Sequence, residues 1–117
     1  MASLAVKLQL AAGSSIRVVN LPTGPRLDVP RAADEGDAGE ALLVFVPASA
    51  SLPAVAAMLG AAGAAGRLTW IAYPKAGQLG TDLNRDRLAT ALAGHGLQPV
   101  RQIALDAVWS ALRVKPA

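Results

Sequence analysis

Six consecutive apolar residues, Ala-Leu-Leu-Val-Phe-Val at positions 41–46, constrain the fold more than any other stretch. A strand with one face in water alternates apolar and polar side chains, whereas an unbroken apolar run is typical of a strand covered on both faces. Such strands belong to parallel sheets, in which helices cover the faces. Pro47 ends the run. The run therefore predicts an α/β fold built on a mostly parallel sheet.

Four further segments complete a predicted sheet of about five strands. The segments 16–21 and 68–73 are rich in β-branched or aromatic side chains, and each is followed by a proline. The last two strands are separated only by a tight turn at Asp106 and Ala107, so they predict a C-terminal antiparallel hairpin. The five predicted strands are residues 16–21, 41–46, 68–73, 100–105 and 108–114.

Helices are predicted between these strands and are expected to pack on the sheet. Ser51 can cap a helix whose second position is Pro53, and Thr81 or Asp82 can cap another that runs to about Ala93. A short helix is also predicted at 2–10, with Leu4 and Leu8 turned inward. The positions predicted to be buried are Leu52, Val55, Ala56, Leu59 and Ala62 in the first of these helices and Leu83, Leu88, Ala91 and Leu92 in the second.

Length and composition predict a single domain over residues 1–117. The absence of cysteine excludes disulfides and thiolate chemistry and fits a reducing compartment. The beginning of the chain does not read as a signal peptide, and no apolar run approaches the roughly 20 residues of a membrane span. We therefore expect a cytoplasmic protein without a membrane partner.

The charge of the chain is unevenly distributed, although the net value is only +3. Five of the eight acids lie between residues 28 and 40, a segment that also holds proline and glycine and predicts a surface connection. From residue 41 onward there are seven Lys and Arg residues against three acids, a balance that attracts anions. The basic residues form no clustered stripe with aromatic side chains, so nucleic-acid binding is not expected.

The loop after the third predicted strand is the best candidate for a binding site. Ligands of open parallel sheets lie beyond the carboxyl ends of the strands, and this loop places Lys75 there. The helix start at Thr81 and Asp82, together with Arg85, would complete a site for a small anion. The alternative is that these side chains only cap the helix or face solvent. The predicted ligand-binding residues are Tyr73, Lys75, Thr81, Asp82 and Arg85, with Trp109 and Arg113 of the final strand as their partners.

No catalytic residue, metal site or cofactor is predicted. His95 is the single histidine and lies between two glycines at a helix end, where a cationic side chain can satisfy terminal carbonyl groups. Without cysteine, a metal site would need carboxylates alone, and the acids form no cluster on the predicted elements. The first strand is followed by neither of the glycine patterns that bind dinucleotides or nucleotide phosphates.

Three motifs resemble a bacterial family of short proteins that is known as a domain of unknown function. They are LTWIAYPK at 68–75, TDLNRD at 81–86 and VRQIALDAVWSALR at 100–113. The likeness covers nearly the whole chain and implies no activity, so it assigns no catalytic residue. The sequence departs from the family at the acidic 28–40 segment and in its alanine-rich helix. The matching residues are Trp70, Tyr73, Pro74, Lys75, Thr81, Asp82, Arg85, Asp86, Asp106, Trp109, Ser110 and Arg113.

The order of elements is also similar to a methyltransferase-type Rossmann fold that lacks its second and third strands. That similarity implies the strand order 1-2-3-5-4, with the final strand inserted antiparallel between the third and the fourth. The glycine loop and the ribose-binding acid of an S-adenosylmethionine site are not recognisable, so no cofactor is predicted.

Two functions follow from these observations. The first is a non-catalytic binding or self-association module, because no catalytic set is present and 53% of the residues are hydrophobic. As such a module it would form a homodimer through an apolar sheet edge or helix face. The second is a protein or enzyme that takes a small anionic or nucleotide-like metabolite at the 74–86 loop.

Overall fold

The computed structural model describes residues 7–9, 16–20, 22 and 41–117 of the chain. Its helices are α1, Leu52–Ala64, which follows a single 3-10 turn at Ser49–Ser51, and α2, Arg85–Ala93. Its strands are β1, Ile16–Val19, β2, Ala41–Phe45, β3, Leu68–Pro74, β4, Leu97–Ala104, and β5, Trp109–Pro116. The architecture is therefore α/β, as predicted.

The five strands form one sheet in the order β1-β2-β3-β5-β4, which confirms the predicted order. The expectation of a mostly parallel sheet holds only in part, because the sheet is mixed. The pairs β1–β2 and β2–β3 are parallel, whereas β3–β5 and β4–β5 are antiparallel. Strand β5 thus lies inside the sheet and β4 is at its edge.

The apolar run that predicted a doubly covered strand is buried along its whole length. Leu42 and Val44 point to one face of the sheet, and Leu43 and Phe45 point to the other. None of the five β2 residues exposes more than 2% of its surface. Burying large side chains on both faces contributes about 1.5–3 kcal/mol each, which makes β2 a principal source of stability.

Both described helices pack on the same face of the sheet. Helix α1 contributes Leu52, Val55, Leu59 and Ala62, which confirms the predicted helical spacing, whereas Ala56 is only half-buried. Helix α2 contributes Leu88 and Leu92, and Ala91 packs against them partly buried. These side chains meet Ile71 and Leu112 of the sheet and form the first core of the protein.

The opposite face of the sheet carries a second core that is richer in aromatic residues. Trp109 meets Phe45 edge-to-face with ring centroids 5.0 Å apart. The indole Nε1 of Trp70 donates to the carbonyl oxygen of Leu8 at 3.0 Å. Leu8 is fully buried in this core, which confirms its predicted inward position.

Several predicted boundaries are wrong for physical reasons. Helix α2 begins at Arg85 and not at residues 81–82, because Asn84 caps it. Strand β4 begins three residues earlier than predicted, since Pro99 lies in an edge strand where a missing N–H breaks no ladder bond. Ser51 precedes α1, but its side chain makes no capping hydrogen bond.

Some predictions lie outside the described residues. These are most of the helix at 2–10, the breaker at 23–25 and the acidic segment at 28–40. In the part of the chain that the structure describes, no helix has the length and apolar character needed to cross a bilayer.

Two glycines of α1 provide a matched test of the packing between helix and sheet. A methyl group at Gly63 would lie 2.8 Å from Cδ of Pro116, whereas one at Gly60 would have no atom within 4 Å. Gly60→Ala should therefore stabilise the protein by about 0.5–1 kcal/mol through helix propensity. Gly63→Ala should destabilise the protein by about 1 kcal/mol, because steric overlap with Pro116 costs more than the gain in helix propensity. Urea unfolding of both variants measures the difference, and equal stabilisation would contradict close packing of α1 on β5.

Candidate functional site

The loops that follow β2 and β3 are joined to each other at the carboxyl edge of the sheet. The Thr81 hydroxyl donates to the carbonyl oxygen of Pro47 at 2.8 Å. The backbone N–H of Ser49 donates to Oδ1 of Asp82 at 2.9 Å, and the Ser49 hydroxyl donates to Oδ2 of the same carboxylate. These three bonds fix the end of the 75–82 loop against the turn that leads into α1.

Asp82 was predicted to help bind an external anion, but its carboxylate instead binds Ser49 of a neighbouring loop. Its carboxylate accepts from the first residue of the 3-10 turn, where free backbone N–H groups favour a negative charge. The hydrogen bonds from the Ser49 hydroxyl and backbone N–H hold the pKa of Asp82 below its ordinary value. Thr81 and Asp82, two of the predicted ligand-binding residues, thus serve this loop contact.

The start of α2 is organised by Asn84 in place of Thr81 or Asp82. Oδ1 of Asn84 accepts from the backbone N–H of Arg87 at 2.8 Å, and the Arg87 guanidinium donates to the carbonyl oxygen of Asp82 at 3.0 Å. Leu83 is buried between these polar residues and anchors the loop in the first core. Asparagine is among the preferred caps, so this assignment was within reach of the sequence.

A cleft of about 470 Å³ opens beside this loop, between the start of α2 and the carboxyl ends of β3 and β4. We call it the carboxyl-edge cleft. It brings together Tyr73, Lys75 and Arg85, three of the predicted site residues. Its other lining residues are Ala76, Asn84, Gln102, Ile103, Ala104 and Ser110.

Tyr73 provides a protonated phenol at the wall of the cleft. Burial raises the pKa of Tyr73, while the positive charge of Arg85 and the neighbouring Ser110 side chain lower it to a smaller extent. Ser110 is close because Tyr73 and Ser110 are register partners in the antiparallel β3–β5 pair. The phenol is therefore neutral near neutral pH and can donate a hydrogen bond.

The described lining of the cleft carries two cations and no acid. Lys75 reaches it from the end of β3, and Arg85 from the first position of α2. Two acids of nearby loops are engaged elsewhere. Asp82 binds Ser49, and Oδ1 of Asp106 accepts from the backbone N–H groups of Val108 and Trp109. The cleft is thus a region of positive charge.

Trp109 and Arg113, the remaining predicted site residues, do not join the cleft. Side chains alternate along β5, so both lie on the opposite face of the sheet from Ser110. Trp109 packs in the second core, and the Arg113 guanidinium donates to Oε1 of Gln9 at 2.7 Å. The alternation along β5 could have indicated Ser110 from the sequence, once β5 was placed antiparallel beside β3.

Metal and histidine chemistry find no support in the described residues. Within that part of the chain, no three histidine, aspartate or glutamate side chains lie close enough to hold a metal ion. His95 is exposed after the end of α2.

Comparisons with protein-family models, curated proteins and solved structures found no match. The resemblance to the domain-of-unknown-function family and to a truncated methyltransferase-type fold therefore stays a prediction.

The contact between Asp82 and Ser49 makes a prediction about pH. Because the fold lowers the pKa of Asp82, the carboxylate stabilises the protein above about pH 4, and this contribution is lost as the pH falls through the lowered value. Asp82→Asn should therefore lower the melting temperature at pH 7, and its difference from the wild type should shrink in acid.

Asp86→Asn is the matched control, because Asp86 carries the same charge in the first turn of α2 and does not bind Ser49. Thermal unfolding of the three proteins between pH 2.5 and 7 measures the effect. Parallel curves for the wild type and Asp82→Asn would show that the carboxylate has no such role.

Proposed function

We propose that this protein is a non-catalytic binding module that takes a small anion in the carboxyl-edge cleft. The proposal rests on one observation. Lys75 and Arg85 come from two different elements and line the same cleft, and none of its described lining residues is an acid. The sequence predicts this site as the alternative to a non-catalytic binding or self-association module, and the position of the cleft at the carboxyl ends of β3 and β4 favours it.

The chemistry of the lining suits an anion. Lys75 offers a compact charge on a flexible stem, and Arg85 offers a planar fork of N–H groups that matches carboxylate or phosphate oxygens. A cleft with low-dielectric walls focuses the field of these two charges. Its volume of about 470 Å³ lies within the range of small-molecule sites.

The side chains that line the cleft are sufficient to bind an anion. Its described lining residues offer hydroxyl, amide and cationic side chains, all of which can donate hydrogen bonds to an anion, and they include no carboxylate or imidazole. Burial raises the pKa of Tyr73, so the phenol keeps its proton near neutral pH and can donate a hydrogen bond to an anion.

A second cleft offers a weaker case for binding an anion. It measures about 300 Å³ and contains Arg17 and Arg67 above an apolar floor that includes Leu42 and Met58. Arg67 also follows the end of α1, where a cation compensates the helix dipole. The carboxyl-edge cleft adds hydroxyl and amide groups to its two cations, and we favour it for this reason.

Titration of the isotope-labelled protein with sulfate at constant ionic strength tests the proposal by NMR. We expect saturable shifts of the backbone amides of Lys75, Ala76, Arg85 and Ser110. Lys75→Gln should weaken binding roughly tenfold, because it removes one charged donor. Lys115→Gln is the matched control, since Lys115 is exposed near the opposite end of the sheet and its loss changes the net charge equally. Equal weakening in both variants, or shifts scattered over the surface, would contradict a site at the cleft.

Self-association is a second proposal, and the exposed side of β4 is the described feature that favours it. Strand β4 is eight residues long at the edge of the sheet, and Val100 exposes 45% of its surface there. A second copy could extend the sheet by pairing with this edge. Pro99 and the charged Arg101 beside it limit such pairing, because the first lacks an N–H and the second would face its own copy.

Sedimentation velocity between micromolar and millimolar concentration tests the dimer. We expect a concentration-dependent dimer in the wild type and a monomer for Val100→Lys, which adds a charge to the edge. A monomeric wild type throughout this range would exclude self-association and leave the anion proposal unaffected.

The remaining sequence predictions are part of the same proposal. They are a bacterial origin, a cytoplasmic location, independence from a cofactor and the absence of nucleic-acid and membrane partners.

A further inference from the structure

We infer that the anion of the carboxyl-edge cleft is a phosphate monoester of a small organic molecule, an inference that rests on the proposed function. Two features of the cleft carry it. Its lining includes hydrogen-bond donors with two positive charges, and it also includes apolar residues. A phosphate monoester presents the same two chemistries in one ligand.

Among the polar lining residues, hydrogen-bond donors outnumber acceptors. Lys75 and Arg85 are donors only. Oδ1 of Asn84 accepts from the backbone N–H of Arg87, and its amide N–H₂ adds two donors. The phenol of Tyr73, which burial keeps protonated by raising its pKa, adds an O–H donor. Such a surplus of donors fits the three acceptor oxygens of a phosphate better than the two of a carboxylate.

The charge of the ligand follows from the charge of the lining. Two cations and no described acid favour a dianion over a monoanion, because each added negative charge interacts with both Lys75 and Arg85. A phosphate monoester carries about −1.5 to −2 charges at pH 7, whereas a carboxylate carries one.

The apolar part of the lining accounts for an organic group on the phosphate. Ala76 and Ala104 line the cleft beside the amide of Gln102, and Ile103 also borders it although its side chain packs in the second core. Inorganic phosphate has no apolar group, so it would leave the apolar lining exposed to water. Burying apolar ligand area against it contributes about 25 cal/mol per Å².

Isothermal titration of the full chain with phenyl phosphate, inorganic phosphate and benzoate tests the inference. Benzoate shares the ring of phenyl phosphate but has one charge, and inorganic phosphate shares the charge but lacks the ring. We expect phenyl phosphate to bind roughly tenfold more tightly than either of the other two. Its affinity should rise with pH through about 6, where the monoester becomes a dianion, while benzoate stays ionised over the same range.

Tyr73→Phe should weaken phenyl phosphate roughly tenfold, because it removes one donor to a charged oxygen. The melting temperature of the free variant shows whether the fold is retained. An affinity of Tyr73→Phe equal to that of the wild type would remove the phenol from the site.

The remaining outcomes separate this inference from the proposed function. If benzoate equals phenyl phosphate and Lys75→Gln weakens both, the monoester is wrong and the anion site stands. If inorganic phosphate equals phenyl phosphate, the organic group is wrong. If none of the three binds but sulfate shifts the amides of the cleft, the monoester is wrong and the anion site stands, whereas both fail if sulfate does not bind either.

Discussion

The hydrogen bonds between Ser49 and Asp82 are the constraint on which the rest of the site depends. They connect the loop after β2 to the loop after β3, and the bond from Thr81 to Pro47 lies beside them. The end of the loop is fixed and Leu83 is buried next to it, and helix α2 begins directly after its cap Asn84. This position places Arg85 at the mouth of the cleft. The contact of Asp82 with the turn before α1 thus helps to position Arg85, the cation at the start of α2.

How much of the fold could be predicted from the sequence depends on whether the interactions that form each element are local or join residues far apart in the chain. The unbroken apolar run at β2, the spacing of Leu52, Val55 and Leu59, and the proline that follows each run are local signals, and the structure contains the elements that they indicate. The sheet order was reached only through a resemblance. The parallel and antiparallel character of each pair depends on contacts between residues far apart in sequence, and no local pattern records them.

The same difference between local and long-range interactions explains which residues of the candidate site were predicted. Lys75 and Arg85 were identified because they flank a strand end and a helix start, and both line the cleft. Asp82 was placed with them, but its partner Ser49 is 33 residues away, and nothing in the TDLNRD motif indicates this contact. Trp109 and Arg113 were expected near Tyr73 because β5 was expected beside β3, although the alternation of side chains puts them on the opposite face. Ser110 was missed for the same reason.

The cleft exists because β5 reverses direction and α2 is short. Since β5 runs antiparallel between β3 and β4, the ends of β3 and β4 point the same way and are separated by one strand, whose Ser110 lies between them. The nine residues of α2 span about 14 Å, whereas the eight residues of β4 span about 27 Å. Leu88 and Leu92 pack with Leu97 at the beginning of β4, so the helix leaves the far end of the strand, at 102–104, uncovered. A longer α2 would fill that space with its own first turn. The same short helix that leaves the cleft open also supplies Arg85, the cation at its mouth.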